Sequence, residues 1–134
     1  LAFPPPDAPL TNILVVADLA RSVVFYSDVL GARLEREYGG TSAVFDFNGA
    51  WVLLVTGGPP TPDKPGVSFA PPVDPNQISH AITIRVQDCR AAYDELVARG
   101  AVFLTPPIDN GPETRCFFRD PDGHLFEISE FRTE

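Results

Sequence analysis

Few side chains in this chain have chemistry to offer. It holds two cysteines, two histidines and an excess of acidic over basic groups, 18 to 10. Cys89 and Cys116 lie far apart with no CxxC and no metal-ligand spacing, so two free thiols, buried or half-buried, are the expectation. Cys89 follows an aspartate placed to cap a helix, where the helix dipole lowers a thiol pKa, which leaves modest reactivity open. The acidic balance repels phosphate backbones and anionic lipid while favouring cationic partners, so neither nucleic acid nor a membrane surface is an expected ligand. What His80 and His124 can do depends on the elements that carry them, because adjacent residues of a strand face opposite sides.

Those elements come in two copies. TNILVVAD (11–18) and HAITIRVQD (80–88) are β-branched runs ending in aspartate, each followed by a segment of helical period. After Asp18, the residues Leu19, Val23, Tyr26 and Leu30 form one stripe that Gly31 closes. After Asp88, the residues Cys89, Ala92, Tyr93, Leu96 and Val97 form another that Gly100 closes. The spacing predicts helices over 18–31 and 88–100. Three short strand-like runs follow each helix, and the last pair in each half meets at a two-residue turn signal, Asn48-Gly49 and Asp122-Gly123, which favours tight hairpins. The order is βαβββ, twice, with the copies offset by 70 residues at Val16 and Val86 and by 74 at Gly49 and Gly123.

The 134 residues fit one domain, with module one at about 10–56 and module two at about 78–131. Between them, residues 57–77 hold seven prolines and three glycines, which exclude a helix or a central strand. This segment is a surface linker or, alternatively, a lid over a ligand cavity. Apolar runs are strand-sized, and the opening LAFPPPDAPL lacks the basic start and apolar core of a signal peptide, so a cytoplasmic location is the expectation.

At DLARSVVFYSDVLGARL (18–34) and FRDPDGHLFEISE (118–130) the sequence resembles the vicinal oxygen chelate superfamily, the glyoxalase, bleomycin resistance protein and extradiol dioxygenase group. The resemblance runs from about residue 10 onward. It implies an α+β fold in which two βαβββ modules form a cupped mixed sheet with helices on its outer face. It also implies four metal-ligand positions: a residue five before the valine that ends each module's first strand, and one on each module's last strand. Here these are Thr11, Ala81, Leu53 and Glu127, of which only Glu127 is a strong donor. Catalytic zinc wants about three protein ligands, and a non-haem iron site wants two histidines and a carboxylate. The histidines do not fill the gap. His80 adjoins Ala81 and His124 lies three residues before Glu127, so both face away from the ligand side, His124 as a turn residue in solvent. No metal and no other cofactor is expected, a divalent ion being the lesser alternative.

In the family register the ligand-binding candidates are Trp51, Leu53, Thr83, Arg85, Leu125 and Glu127, with Arg115 beside them. Glu127 in such a mostly apolar lining needs a cation or donors, and Arg85 and Arg115 are the candidate partners. Such a pair either satisfies itself or anchors a ligand, and Glu127 is the one candidate for a catalytic acid or base. Trp51 serves either as core packing or as an anchor for a flat ligand. The leading expectation is metal-independent binding of a small, partly apolar, aromatic or cationic molecule by a homodimer, as in the family's drug-sequestering resistance proteins. The alternative is a metal-dependent lyase, isomerase or dioxygenase of glyoxalase type.

Overall fold

The structure, a computed structural model, describes residues 3–132. Aspartate caps start both helices. The Asp18 carboxylate accepts the Arg21 amide at 3.0 Å ahead of α1 (Leu19–Val24), and Asp88 accepts that of Ala91 at 3.0 Å ahead of α2 (Cys89–Ala98). Gly31 and Gly100 follow with φ of +70° and +106°, a conformation in which any side chain would be strained. The first helix departs from the expected regular run. Its last turn, Phe25–Val29, is π-helical, with the Leu30 amide donating to the Phe25 carbonyl, and it buries both Tyr26 and Val29.

Module one contributes β1 (Thr11–Val16), β2 (Arg33–Tyr38), β3 (Ser42–Phe47) and β4 (Ala50–Thr56), ordered β1-β4-β3-β2 with β1 parallel to β4. Module two contributes β5 (Ala81–Arg85), β6 (Val102–Phe103), β7 (Ile108–Asn110), β8 (Glu113–Arg119) and β9 (Leu125–Phe131). Its order is β5-β9-β8-β6, with β5 parallel to β9 and β7 also paired to β8. The two βαβββ modules are therefore present, with one break in the repeat. The counterpart of β2 is divided into β6 and β7 across Thr105-Pro106-Pro107, because proline has no N–H to give the ladder.

The hairpins differ as well. Asn48-Gly49 is a two-residue turn with φ of +55° and +93°, as the sequence suggests. Asp122-Gly123 is not, since β8 ends at Arg119 and β9 starts at Leu125. The wider connection is organised by Asp120, whose Oδ1 accepts the amides of Asp122 at 2.9 Å and His124 at 2.8 Å.

Alternation along the strands gives each sheet a buried face. Leu14, Val16, Phe45, Val52 and Leu54 lie under Leu19 and Tyr26, while Cys116, Phe118, Phe126 and Ile128 lie with Cys89, all in one continuous core. Tyr26 belongs to both halves: its ring is 5.8 Å from Phe45 and 6.0 Å from Phe126. Its hydroxyl donates to Asp120 Oδ2 at 2.8 Å. Asp122 adds three more links to module one, accepting from the Ala17 amide at 2.9 Å, Arg21 at 3.1 Å and the Ser22 hydroxyl at 3.3 Å.

The proline-rich segment has local order. Gly58 and Phe69 bridge each other, and a β-carbon on Gly57 would fall 2.6 Å from the Phe69 carbonyl oxygen. Arg119 ties the segment's end down through the Pro75 carbonyl and the Asn76 side chain. Among the described residues no helix is long and apolar enough to cross a membrane.

Candidate functional site

The face of each sheet turned away from the core carries the sequence candidates. On sheet one, β1 and β4 run in parallel register, so Thr11 sits beside Trp51 and Ile13 beside Leu53. Trp51 and Leu53 are half-buried and Ile13 is exposed. On sheet two the register forms rows across β5, β9 and β8. Thr83, Glu127 and Phe117 make one row, and Arg85, Ser129 and Arg115 make the next. Leu125 begins β9 beside Ala81. The structure thus gathers Thr83, Arg85, Arg115, Leu125 and Glu127 on one face and sets Trp51 and Leu53 on the other sheet.

Glu127 is buried at 8% exposure and is not left unpaired. Thr83 Oγ1 donates to its Oε1 at 2.7 Å, and Arg115 Nε stands 3.9 Å from its Oε2, a charge contact longer than a hydrogen bond. Arg85 does not pair with Glu127 as the sequence reading allowed. Register places it one row away, where its Nη1 donates to Ser129 Oγ at 2.7 Å and to Glu113 Oε2 at 3.4 Å. Glu113 is the residue that the sequence reading missed. It accepts from Ser129 and Arg85 on one oxygen and from Arg115 Nη1, at 3.2 Å, on the other. The Ser129 hydrogen bond, followed by the charges of Arg115 and Arg85, holds its carboxyl below the usual range. Each guanidinium also faces an aromatic ring, Arg85 over Phe131 at 5.7 Å and Arg115 over Phe117 at 6.0 Å.

The four positions that could hold a metal do not fit one. Leu53 and Ala81 have no donor atoms, Thr11 offers a neutral hydroxyl, and Glu127 already accepts from Thr83. Among the described residues no group of three His, Cys, Asp or Glu side chains is placed to share an ion.

Both histidines lie elsewhere. His124 is half-buried rather than in solvent, because its Nε2 reaches the Val15 carbonyl of module one at 2.7 Å. That contact draws the turn inward. His80 is exposed and, with His124, borders a cleft of about 350 Å³ between β1 and the proline-rich segment. Ala70, Pro72 and Val73 line this cleft, whereas Trp51 and Glu127 do not.

Both thiols are free and buried, as their sequence spacing suggests. Cys89 and Cys116 meet in the core, and Cys89 Sγ also lies 3.7 Å from the Ile128 carbonyl. Burial raises the Cys89 pKa and, with the neighbouring Cys89, pushes that of Cys116 up to about 12. The cap at Asp88 does not activate Cys89, because desolvation outweighs it.

The sequence model described as Glyoxalase/Bleomycin resistance protein/Dioxygenase superfamily matches residues 9–128. The chain is 34% identical over 117 residues to the metallothiol transferase FosB of Lysinibacillus sphaericus, covering 84% of this chain and 74% of that protein. It is 27% identical over 115 residues to the glutathione transferase FosA of Serratia marcescens, covering 86% and 74%. The crystal structure of a glyoxalase/bleomycin resistance protein/dioxygenase from Nocardioides superposes with a TM-score of 0.74 at 24% identity, over 96% of this chain and 85% of that one. With the duplicated modules, the capped helices and the rows of β9 agreeing with these matches, the chain belongs to the glyoxalase/bleomycin resistance protein/dioxygenase superfamily.

Proposed function

We propose that this protein binds a small, partly apolar molecule bearing a flat ring, and does so without a metal. The observation that carries this reading is the donor set. Three of the four metal-ligand positions are Thr11, Leu53 and Ala81, while Glu127 is engaged by Thr83 and faced by Arg115. Trp51 and Leu53 supply apolar area, and the polar groups of sheet two supply orientation. A homodimer is part of the proposal. Among the described residues β1 pairs only with β4 and β5 only with β9, so each sheet has an unpaired edge, and Ile13 and Phe131 remain 49% and 53% exposed on the open faces. The two free thiols agree with a cytoplasmic site of action.

The test is a screen of aromatic ligands by thermal shift and calorimetry on wild type, Trp51→Ala and Glu127→Gln, with EDTA present throughout. Binding should survive EDTA and weaken roughly fivefold in Trp51→Ala, from about 1 kcal/mol of lost stacking. Equal affinity in all three proteins would place the site elsewhere. Sedimentation that finds only monomer at micromolar concentration would remove the dimer.

The second reading is a metal-dependent enzyme of glyoxalase type. Glu127 at the one matching ligand position and relatives named as transferases favour it. Ligand binding abolished by EDTA would select it.

A further inference from the structure

Resting on the binding proposal above, we infer that the ligand carries a carboxylate, received jointly by Arg85 and Arg115. The layering of charge on sheet two carries this. Two guanidiniums and two carboxylates make the cluster formally neutral, but they are not equally accessible. The carboxylate side chains lie beneath, 10% exposed for Glu127 and 18% for Glu113, while the guanidinium side chains stand above them at 44% for Arg115 and 62% for Arg85. A molecule reaching the open face meets cations first, on a chain whose net charge is −8.

The pair is also held in place. One carboxylate, Glu113, receives Arg85 on Oε2 and Arg115 on Oε1, so the two guanidiniums are spaced by the width of a single carboxylate. Ser129 fixes Arg85 from below, and Phe131 and Phe117 flank the two planes. A guanidinium has five N–H donors, and these contacts involve only Nη1 of Arg85 and Nη1 and Nε of Arg115. Among the described residues the Nη2 groups of both arginines have no hydrogen-bond acceptor, leaving planar donors to take a second carboxylate in the manner that Glu113 already demonstrates.

Three probes that share one ring separate the possibilities: benzoate, benzyl alcohol and benzamidine, titrated while the Trp51 indole and arginine Nε–H signals are followed by NMR. Benzoate should bind at least roughly tenfold more tightly than benzyl alcohol, with the preference shrinking as salt is added. Arg85→Gln and Arg115→Gln should each abolish the preference. Arg115→Lys should keep part of it, since charge remains and the fork is lost. Unchanged thermal unfolding would show that these exposed positions are not required for folding. If benzyl alcohol or benzamidine binds as tightly as benzoate and still depends on Trp51, the ring-binding reading stands and the carboxylate inference falls. If no probe shifts either set of signals, both fall.

Discussion

Replacing Tyr26 with phenylalanine removes one hydroxyl and leaves the ring's contacts with Phe45 and Phe126 in place. The lost bond joins a phenol to Asp120 Oδ2 at 2.8 Å, and Asp120 is 4% exposed, so water cannot take over the role. Hydrogen bonds to charged groups contribute about 1.5–3 kcal/mol, and the variant regains the small cost of burying the phenol, so we expect a loss of about 1.5–2 kcal/mol at pH 7. That is a substantial share of a folding stability of about 5–15 kcal/mol. The loss should also depend on pH. Burial holds the Asp120 carboxyl above its usual value, and the Tyr26 hydrogen bond opposes that rise. Without Tyr26 the folded-state pKa climbs further while the unfolded value stays. A carboxyl with a raised folded pKa contributes stability that is full below its unfolded pKa and fades as pH rises through the folded one. The deficit of Tyr26→Phe is therefore largest near neutrality and shrinks on acidification through the carboxylate range, where a protonated Asp120 no longer needs the donor. Urea denaturation at pH 7 and at about pH 4 measures both quantities, with Tyr93→Phe, whose half-buried ring packs on Phe103 at 4.7 Å, as a control expected to change by less than about 0.5 kcal/mol. A loss below about 0.5 kcal/mol at pH 7, or the same deficit at both pH values, would refute the assignment of Tyr26 as a polar link between modules.

Three other outcomes are expected. Cys89 and Cys116, with pKa values raised by burial, should resist a disulfide reagent such as DTNB in the native protein and react together once urea unfolds it; rapid reaction of either in the folded state would contradict their placement. Gly57→Ala should displace the 58–69 bridge, because its β-carbon meets a backbone oxygen at 2.6 Å, and limited proteolysis should then cut the proline-rich segment faster than in wild type. Ser129→Ala removes the largest cause of the lowered Glu113 pKa, so carbon-detected NMR titration should find that carboxyl moved up toward its ordinary value.

The helices, their aspartate starts and glycine stops, and the β-branched first strand of each copy were legible because local chemistry writes them directly. The parity argument also placed Glu127 on the open face beside Thr83, where register puts it. What was hidden involved residues that meet only after folding. Glu113 could have been found by the same alternation, since Glu113, Arg115 and Phe117 recur at every second position of β8, but nothing local marks its neighbours as Arg85 and Ser129. The Asp122-Gly123 pair favours a tight turn, but Asp120, two residues earlier, takes over the turn's amides. The place of His124 in a turn points it to solvent, whereas the Val15 carbonyl of the neighbouring module holds its ring. The division of β6 from β7 at prolines 106 and 107 goes beyond the three runs expected of each half, although the missing proline N–H is a local signal for it.

Asp46 and Asp120 occupy the same station in the two copies, 74 residues apart. One oxygen of each still does the inherited task of closing its hairpin, Asp46 taking the Gly49 amide at 2.8 Å. The other oxygens have parted ways. That of Asp46 meets Arg33 of its own module at the surface, at 3.1 Å, whereas that of Asp120 reaches into the opposite copy to Tyr26. A chain built from two copies of module one would carry Asn48 where Asp122 now grips Ala17, Arg21 and Ser22, and its halves would lack that clasp. The two modules have ceased to be interchangeable parts, so descent from a symmetrical ancestor now constrains them unequally: changes in the first copy's hairpin stay local, while changes in the second's loosen the joint on which both depend.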